Sequence, residues 1–162
     1  HGRALVDRHK ELPVLVADEE DLAVDIEPFQ RLRGAAMGMT SHLLYMAWDG
    51  ERPASQSPIV IHDIIRERIG FDGFLMSDDI GMEALAGDHG QRAAACVAAG
   101  SDVALHCDGK MENMLLVANA VGELSPEGSA RLARAMAMRF TPDEEMDFAE
   151  AVAKRDALLA LV

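Results

Sequence analysis

Apolar positions recur at helical spacing in some stretches of this chain and in short unbroken runs in others, and the two patterns alternate. From Asp18 to Arg33 acids come early and arginines late, with Leu22, Ile26, Phe29 and Leu32 at helical spacing. This predicts a helix suited to its macrodipole, broken near Asp25 to Pro28 and closed by Gly34. The small and apolar run Ala36 to Tyr45 predicts a buried strand with His42 near its end. Turn formers crowd Trp48 to Gln56, and Ser57-Pro58 predicts a capped helix over 58–69 with Ile61, Ile64, Ile65 and Ile69 inward. A strand over Gly73–Ser77, a helix over Gln91–Ala99 stopped by Gly100, and a strand over Asp102–Cys107 follow. Beyond Cys107 the pattern is helical throughout: Met111–Val121, a Ser125-capped segment to about Phe140, and a last helix opened by a Thr141/Glu144 capping box, with 143–150 a solvated acidic face.

Strands alternating with helices predict a parallel sheet in the α/β class. Three such strands cannot close an eight-stranded barrel, yet each ends in a polar loop. The expected architecture is therefore the C-terminal half of a (β/α)8 TIM-like barrel followed by C-terminal helices. Residues 1–107 supply barrel strands, helices and loops, and residues 108–162 a helical region of the same domain. There is no initiator Met, and His1-Gly2 opens directly in a polar loop. The chain thus reads as starting mid-protein, the upstream half of the same polypeptide completing the barrel and covering an otherwise unpaired apolar edge.

Composition narrows the partners. A net charge of −13 over 162 residues disfavours nucleic acid and anionic membrane surfaces. No apolar run approaches the roughly 18 residues of a spanning helix. The two cysteines, Cys96 and Cys107, lack metal-ligand spacing and fit a reducing compartment, and no cofactor or metal is expected.

Candidate chemistry sits where an apolar run stops on acids, in Gly70-Phe71-Asp72-Gly73-Phe74-Leu75-Met76-Ser77-Asp78-Asp79. In parallel α/β folds the carboxyl ends of strands form the active-site rim, which marks Asp78 as a candidate reactive group. Asp7-Arg8-His9 adds a carboxylate two residues before an imidazole in a polar, Pro-interrupted segment, a pair able to do acid/base work. Asp78 and Asp79 also read as helix caps. Asp7 and His9 also read as a solvated loop. His42 is a structural histidine or a ligand contact, Met82 core filler or a site wall, and Tyr45 with Trp48 a possible stacking face. His62 lies on a helix, His89 and His106 have no partners at ligand spacing, and all three read as structural or exposed.

Three motifs, His1-Gly2-x4-Asp7-Arg8-His9-x2-Leu12-Pro13, Pro53-Ala54-Ser55-x-Ser57-Pro58 and Gly70-Phe71-Asp72-Gly73-x3-Ser77-Asp78-Asp79-x2-Met82, occur in an order and spacing that resembles the glycoside hydrolase family 3 β-N-acetylglucosaminidases of bacterial cell-wall recycling. The resemblance covers His1 to about Cys107. It implies a barrel enzyme that removes terminal β-linked N-acetylglucosamine with retention, acting on muropeptide-type fragments or chitooligosaccharides. Carried over position by position, Asp78 is the nucleophile, His9 the acid/base and Asp7 the group that orients His9, while His42 and Met82 are candidate substrate contacts. Arg8 stands where the family usually has Ser or Thr. An imidazole with an ordinary pKa near ~6.5 suits both halves of such a cycle. The rival readings are a metal-dependent barrel hydrolase or aldolase using Asp78, Asp79 and His9 as ligands, and an inactive sugar-binding or assembly fragment.

Overall fold

A computed structural model describes residues 3–4, 7, 10–139 and 147–161. In chain order its elements are β1 (Val14–Leu15), α1 (Glu19–Arg31), β2 (Met37–Met39), β3 (Leu44–Tyr45), a 3₁₀ turn Ala54–Gln56, a π-helix Val60–Arg68, β4 (Phe74–Asp79), α2 (His89–Ala98), β5 (Val103–Leu105), α3 (Met111–Val121), α4 (Pro126–Ala137) and α5 (Phe148–Leu159). Strands β2, β4 and β5 form a parallel sheet in the order β2-β4-β5, and β1 pairs with β3 in a separate parallel ribbon. Helices alternating with parallel strands are what the periodicity predicts.

The stretch 36–45 is two strands, not one. Met37–Met39 pairs with Phe74–Met76 of β4, after which the chain leaves the sheet and Leu44 joins β1 through Leu44 N–H to Pro13 C=O at 2.9 Å. Between them His42 is wholly buried among polar partners, which a continuous ladder would not allow. Met37 and Met39 are exposed, because β2 is the edge of its sheet.

Helix α1 runs through Pro28 without the break expected at 25–28. The carbonyl Pro28 leaves unbonded belongs to Val24, an exposed residue, so water can satisfy it. Only Leu22 and Ile26 of the apolar stripe are buried; Phe29 and Leu32 face outward. The helix predicted over 58–69 winds as a π-helix, with Ile69 N–H reaching Ile64 C=O at 2.8 Å. Its wide turn serves two cores. Ile64 packs with Ile26, Ala54 and Val60, Ile61 packs with Phe71, Leu75 and Ala99, and Ile65 and Ile69 touch both clusters.

At the site end, β4 extends to Asp79, two residues past its predicted stop, and β5 is trimmed to Val103–Leu105. Helix α2 starts at His89, earlier than expected, because Asp88 and Gln91 form a capping box. Gly100 stops it at φ 114, as predicted, and Ser125 caps α4 through Gly128 N–H. The Thr141/Glu144 capping box lies outside the described residues; α5 is capped by Asp147. A third core, of Ile80, Leu85, Ala93 and Cys96, binds α2 to Val117 and Val121 of α3. Gly90 lets these helices approach closely, since a Cβ there would meet Leu116 O at 2.9 Å.

Candidate active site

The ladder between β4 and β5 is irregular where the acids begin. Met76 pairs with Val103 and Asp79 with Leu105, so β4 uses one more residue than β5 over this interval. Ser77 fills the gap: Leu105 N–H donates to Ser77 Oγ at 2.9 Å, and Ser77 Oγ–H donates to Asp78 C=O at 2.7 Å. An extra residue in one strand re-aims the side chains after it. Asp78, 9% exposed, and the half-buried Asp79 therefore end the central strand out of simple alternation.

Neither acid caps a helix, contrary to that reading of the sequence. Asp78 Oδ1 accepts from Asp79 N–H at 3.0 Å, and Asp79 Oδ1 accepts from Gly81 N–H at 2.9 Å, closing a turn. The next helix, α2, has its own cap in Asp88.

Beneath this rim lies a polar scaffold. His42 Nε2 lies 2.9 Å from Asp79 C=O and its Nδ1 lies 2.7 Å from Ser55 Oγ. A carbonyl can only accept, so Nε2 carries a proton and, in the neutral ring, Nδ1 takes the Ser55 hydroxyl proton. His42 thus fastens the Pro53–Pro58 motif to the acidic strand end. Ser57 Oγ–H donates to Asp49 Oδ2 at 2.6 Å, and Asp49 also accepts from the N–H groups of Glu51 and Arg52 and from Arg52 Nε. Burial alone would raise the Asp49 pKa, but the Ser57 hydroxyl, the two backbone donors and Arg52 outweigh it and hold the carboxyl below its ordinary value. Its folded pKa lies below its unfolded one, so its stabilisation is present above the unfolded carboxylate range and is lost as pH falls through the folded value. Ser57→Ala is expected to cost about 1–2 kcal/mol in urea unfolding near neutrality and to shrink that acid-side loss.

On the other side, Arg92 of α2 donates through Nη1 to the carbonyls of Ile80 and Met82 at 3.0 and 3.1 Å, holding the loop after β4. Met82 is buried at 8% exposure. Cys107, beyond β5, has its thiol pushed up by partial burial and then by Asp79 and Asp78, which makes it a poor nucleophile. The roles of Ser77 and Arg92 escape a reading of the sequence, because Leu105, Ile80 and Met82 lie on other segments, and Asp49 escapes it because its burial beside Ser57 shows only in the fold. Tyr45 and Trp48 stack on each other at 4.7 Å and pack against the first core, which commits them to structure.

Asp7 is exposed, and its carbonyl accepts from Lys10 and Glu11 N–H at 3.0 and 3.2 Å. His9, with His1, Gly2 and Arg8, lies outside the described residues. A cavity of about 800 Å³ between α1, β2 and the π-helix is lined by apolar groups such as Leu22, Ile26, Met39 and Phe71, and Asp78, Asp79 and His42 lie outside it.

The reading of His89 and His106 as lacking partners is corrected. Their rings meet edge to face at 5.0 Å, and both approach Asp108, His106 Nε2 at 2.7 Å and His89 Nε2 at 3.9 Å. The chain folds the end of β5 against the start of α2, a juxtaposition their sequence spacing hides. Among the described residues, three-residue donor groups able to hold a metal occur here and at exposed His62, Asp63 and Glu67, and neither includes Asp78 or Asp79. No helix among the described residues is long and apolar enough to cross a membrane.

Parallel strands alternating with helices, the central one ending in a bulged, buried carboxylate above a hydrogen-bonded polar floor, define an α/β protein. A family model described as the glycosyl hydrolase family 3 N-terminal domain matches residues 1–138. A β-hexosaminidase of Chromobacterium violaceum is 39% identical over 142 residues, covering 83% of this chain and 39% of that protein. One from Methylococcus capsulatus is 36% identical over 165 residues, covering 99% of this chain and 46% of that protein. Among solved structures, NagZ from Neisseria gonorrhoeae in complex with N-trifluoroacetyl-D-glucosamine superposes with a TM-score of 0.71 at 30% identity, covering 83% of this chain and 40% of that one. A family 3 β-N-acetylglucosaminidase from a Paenibacillus species gives a TM-score of 0.74 at 26% identity, covering 91% and 32%. The chain belongs to glycoside hydrolase family 3. It spans less than half the length of these curated relatives.

Proposed function

We propose that this chain carries the catalytic rim of a retaining β-N-acetylhexosaminidase that removes terminal β-linked N-acetylglucosamine from muropeptide-type cell-wall fragments in bacterial peptidoglycan recycling. The observation that carries the reading is Asp78, a buried carboxylate at the bulged C-terminal end of the central parallel strand. Exposed Met37 and Met39 on edge strand β2 support a half-barrel reading, in which upstream strands of the same polypeptide pair there and complete a single (β/α)8 domain. Residues 1–107 then supply the barrel strands and loops, and the C-terminal helices pack outside. The free cysteines Cys96 and Cys107 fit a cytoplasmic location.

In this mechanism the Asp78 carboxylate attacks the anomeric carbon as the glycosidic C–O bond breaks, and protonated His9 gives its proton to the departing oxygen. A covalent glycosyl ester on Asp78 results. Neutral His9 then takes a proton from water, whose oxygen attacks the anomeric carbon and displaces Asp78 with a second inversion, giving net retention. Asp7 orients the imidazole and stabilises its charged form. His42 contributes by fixing the backbone of Asp79, next to the nucleophile, and Met82 walls the loop that follows. No cofactor enters the cycle.

Release of the aryl group from chromogenic β-N-acetylglucosaminides by the full-length polypeptide tests this reading. His9→Ala is expected to slow poor leaving groups by about 10²–10⁴-fold and activated aryl groups far less. Equal losses on both would contradict the acid/base role, and no release by the folded parent enzyme would remove the hydrolase reading.

A further inference from the structure

The His89, His106 and Asp108 cluster sits where β5 ends, one residue past Leu105, the register partner of Asp79, and it has the make-up of a ligand set that includes neither Asp78 nor Asp79. His106 is at the end of β5 with its side chain 7% exposed, and His89 opens α2 with its side chain 24% exposed. His106 Nε2 lies 2.7 Å from Asp108 Oδ1, and among the described residues neither ring nitrogen has a well-aligned hydrogen bond. A buried imidazole held against a carboxylate in this way is arranged as a ligand pair would be.

One donor atom from each residue lies within 4.8 Å of the others. Ligands on a tetrahedral ion with bonds of about 2.0–2.1 Å stand roughly 3.4 Å apart. His106 Nε2 stands 2.7 Å from Asp108 Oδ1 and His89 Nε2 3.9 Å from Asp108 Oδ2, distances on either side of that spacing. The carboxylate is itself held in place, with Oδ1 accepting Lys110 N–H at 2.8 Å and Oδ2 accepting Asn113 Nδ2 at 2.5 Å. Such outer partners orient a ligating group.

We propose that His89, His106 and Asp108 bind a divalent transition-metal ion, Zn²⁺ by the chemistry of the donors. Two imidazoles and one carboxylate suit zinc, whereas Mg²⁺ and Ca²⁺ require mostly oxygen ligands. Three protein ligands leave a further coordination position for water. The ion fastens the first turn of α2 to the end of β5. Arg92, three residues after His89, holds the Ile80 and Met82 carbonyls, so the metal clip braces the loop that follows Asp78 and Asp79.

Calorimetric titration of Zn²⁺ alone into the metal-stripped full-length polypeptide tests the assignment, with Co²⁺ absorption as the spectroscopic readout. Binding of one equivalent is expected, weakened at least tenfold in His89→Ala and Asp108→Asn, unchanged in Asp78→Asn, and weakened about tenfold in Asn113→Ala. Zn²⁺ should also raise the melting temperature of the parent and not of His89→Ala. His89→Ala opens no buried site, so its fold can be checked independently. No binding, binding equal in parent and His89→Ala, or binding lost only in Asp78→Asn would each overturn the proposal, the last by placing the ion at the hydrolytic centre.

Discussion

Asp78→Asn in the full-length polypeptide is expected to lower turnover of chromogenic β-N-acetylglucosaminides by about 10⁴-fold or more while leaving the fold intact. The size follows from the role: an amide of the same shape cannot attack the anomeric carbon, and removing a covalent nucleophile typically leaves only binding and residual electrostatic effects. The fold should survive because Asn keeps a side-chain oxygen able to accept Asp79 N–H, the bond that Asp78 Oδ1 makes at 3.0 Å. Ser77, which carries the bulge, is untouched. Circular dichroism and melting temperature check the fold, and initial rates check the loss. Activity within tenfold of the parent would mean that Asp78 is not the nucleophile.

Asp102→Ala is expected to cost about 3–5 kcal/mol of stability, the usual penalty for removing one partner of a buried charged network. The Asp102 carboxylate is 3% exposed and, from just before β5, bonds three other elements. Oδ2 accepts Leu75 N–H of β4 at 2.7 Å and Arg66 Nη2 of the π-helix at 3.2 Å, and Oδ1 accepts Arg131 Nη1 of α4 at 3.0 Å. Arg66, 13% exposed, also donates through Nη1 to the carbonyls of Phe71 and Gly73 and lies 5.6 Å from the centre of the Phe71 ring. Deleting the carboxylate leaves a strand N–H without its acceptor, takes the buried counter-charge from Arg66, which keeps only the Phe71 and Gly73 carbonyls, and leaves Arg131 with Asp72 alone. The urea midpoint should fall with little change in slope. Asp102→Asn, which retains an acceptor for Leu75, should fall less. A loss under 1 kcal/mol for the alanine variant would show that the network adds little.

Much of this arrangement was legible in local patterns because local chemistry decides it. Asp18, Ser125 and Gly100 begin or end helices through bonds and backbone angles within a few residues. The parallel sheet followed from alternation alone, and Asp78 from the rule that parallel strands present their C-terminal ends. What the pattern missed depends on partners distant in sequence. The split of 36–45 is set by buried His42, whose bonds reach Ser55 and Asp79. The extra residue in β4 shows only against β5. Asp102 looked like the first residue of a strand and is instead a clamp among Arg66, Leu75 and Arg131. His89 and His106 are neighbours only because α2 and β5 end at the same corner. Phe29 and Leu32 had the right spacing for a core face and lie exposed.

The central claim is a covalent sugar ester on Asp78, and trapping that ester tests it most directly. The full-length polypeptide would be treated with a fluorinated N-acetylglucosaminyl fluoride that forms the intermediate quickly and releases it slowly, then digested and mapped by mass spectrometry. The account predicts one added sugar on the peptide spanning Phe74 to Met82, with fragments placing it on Asp78 and none on the Asp78→Asn variant. A label on another carboxylate, or turnover of the reagent with no covalent adduct, would contradict it.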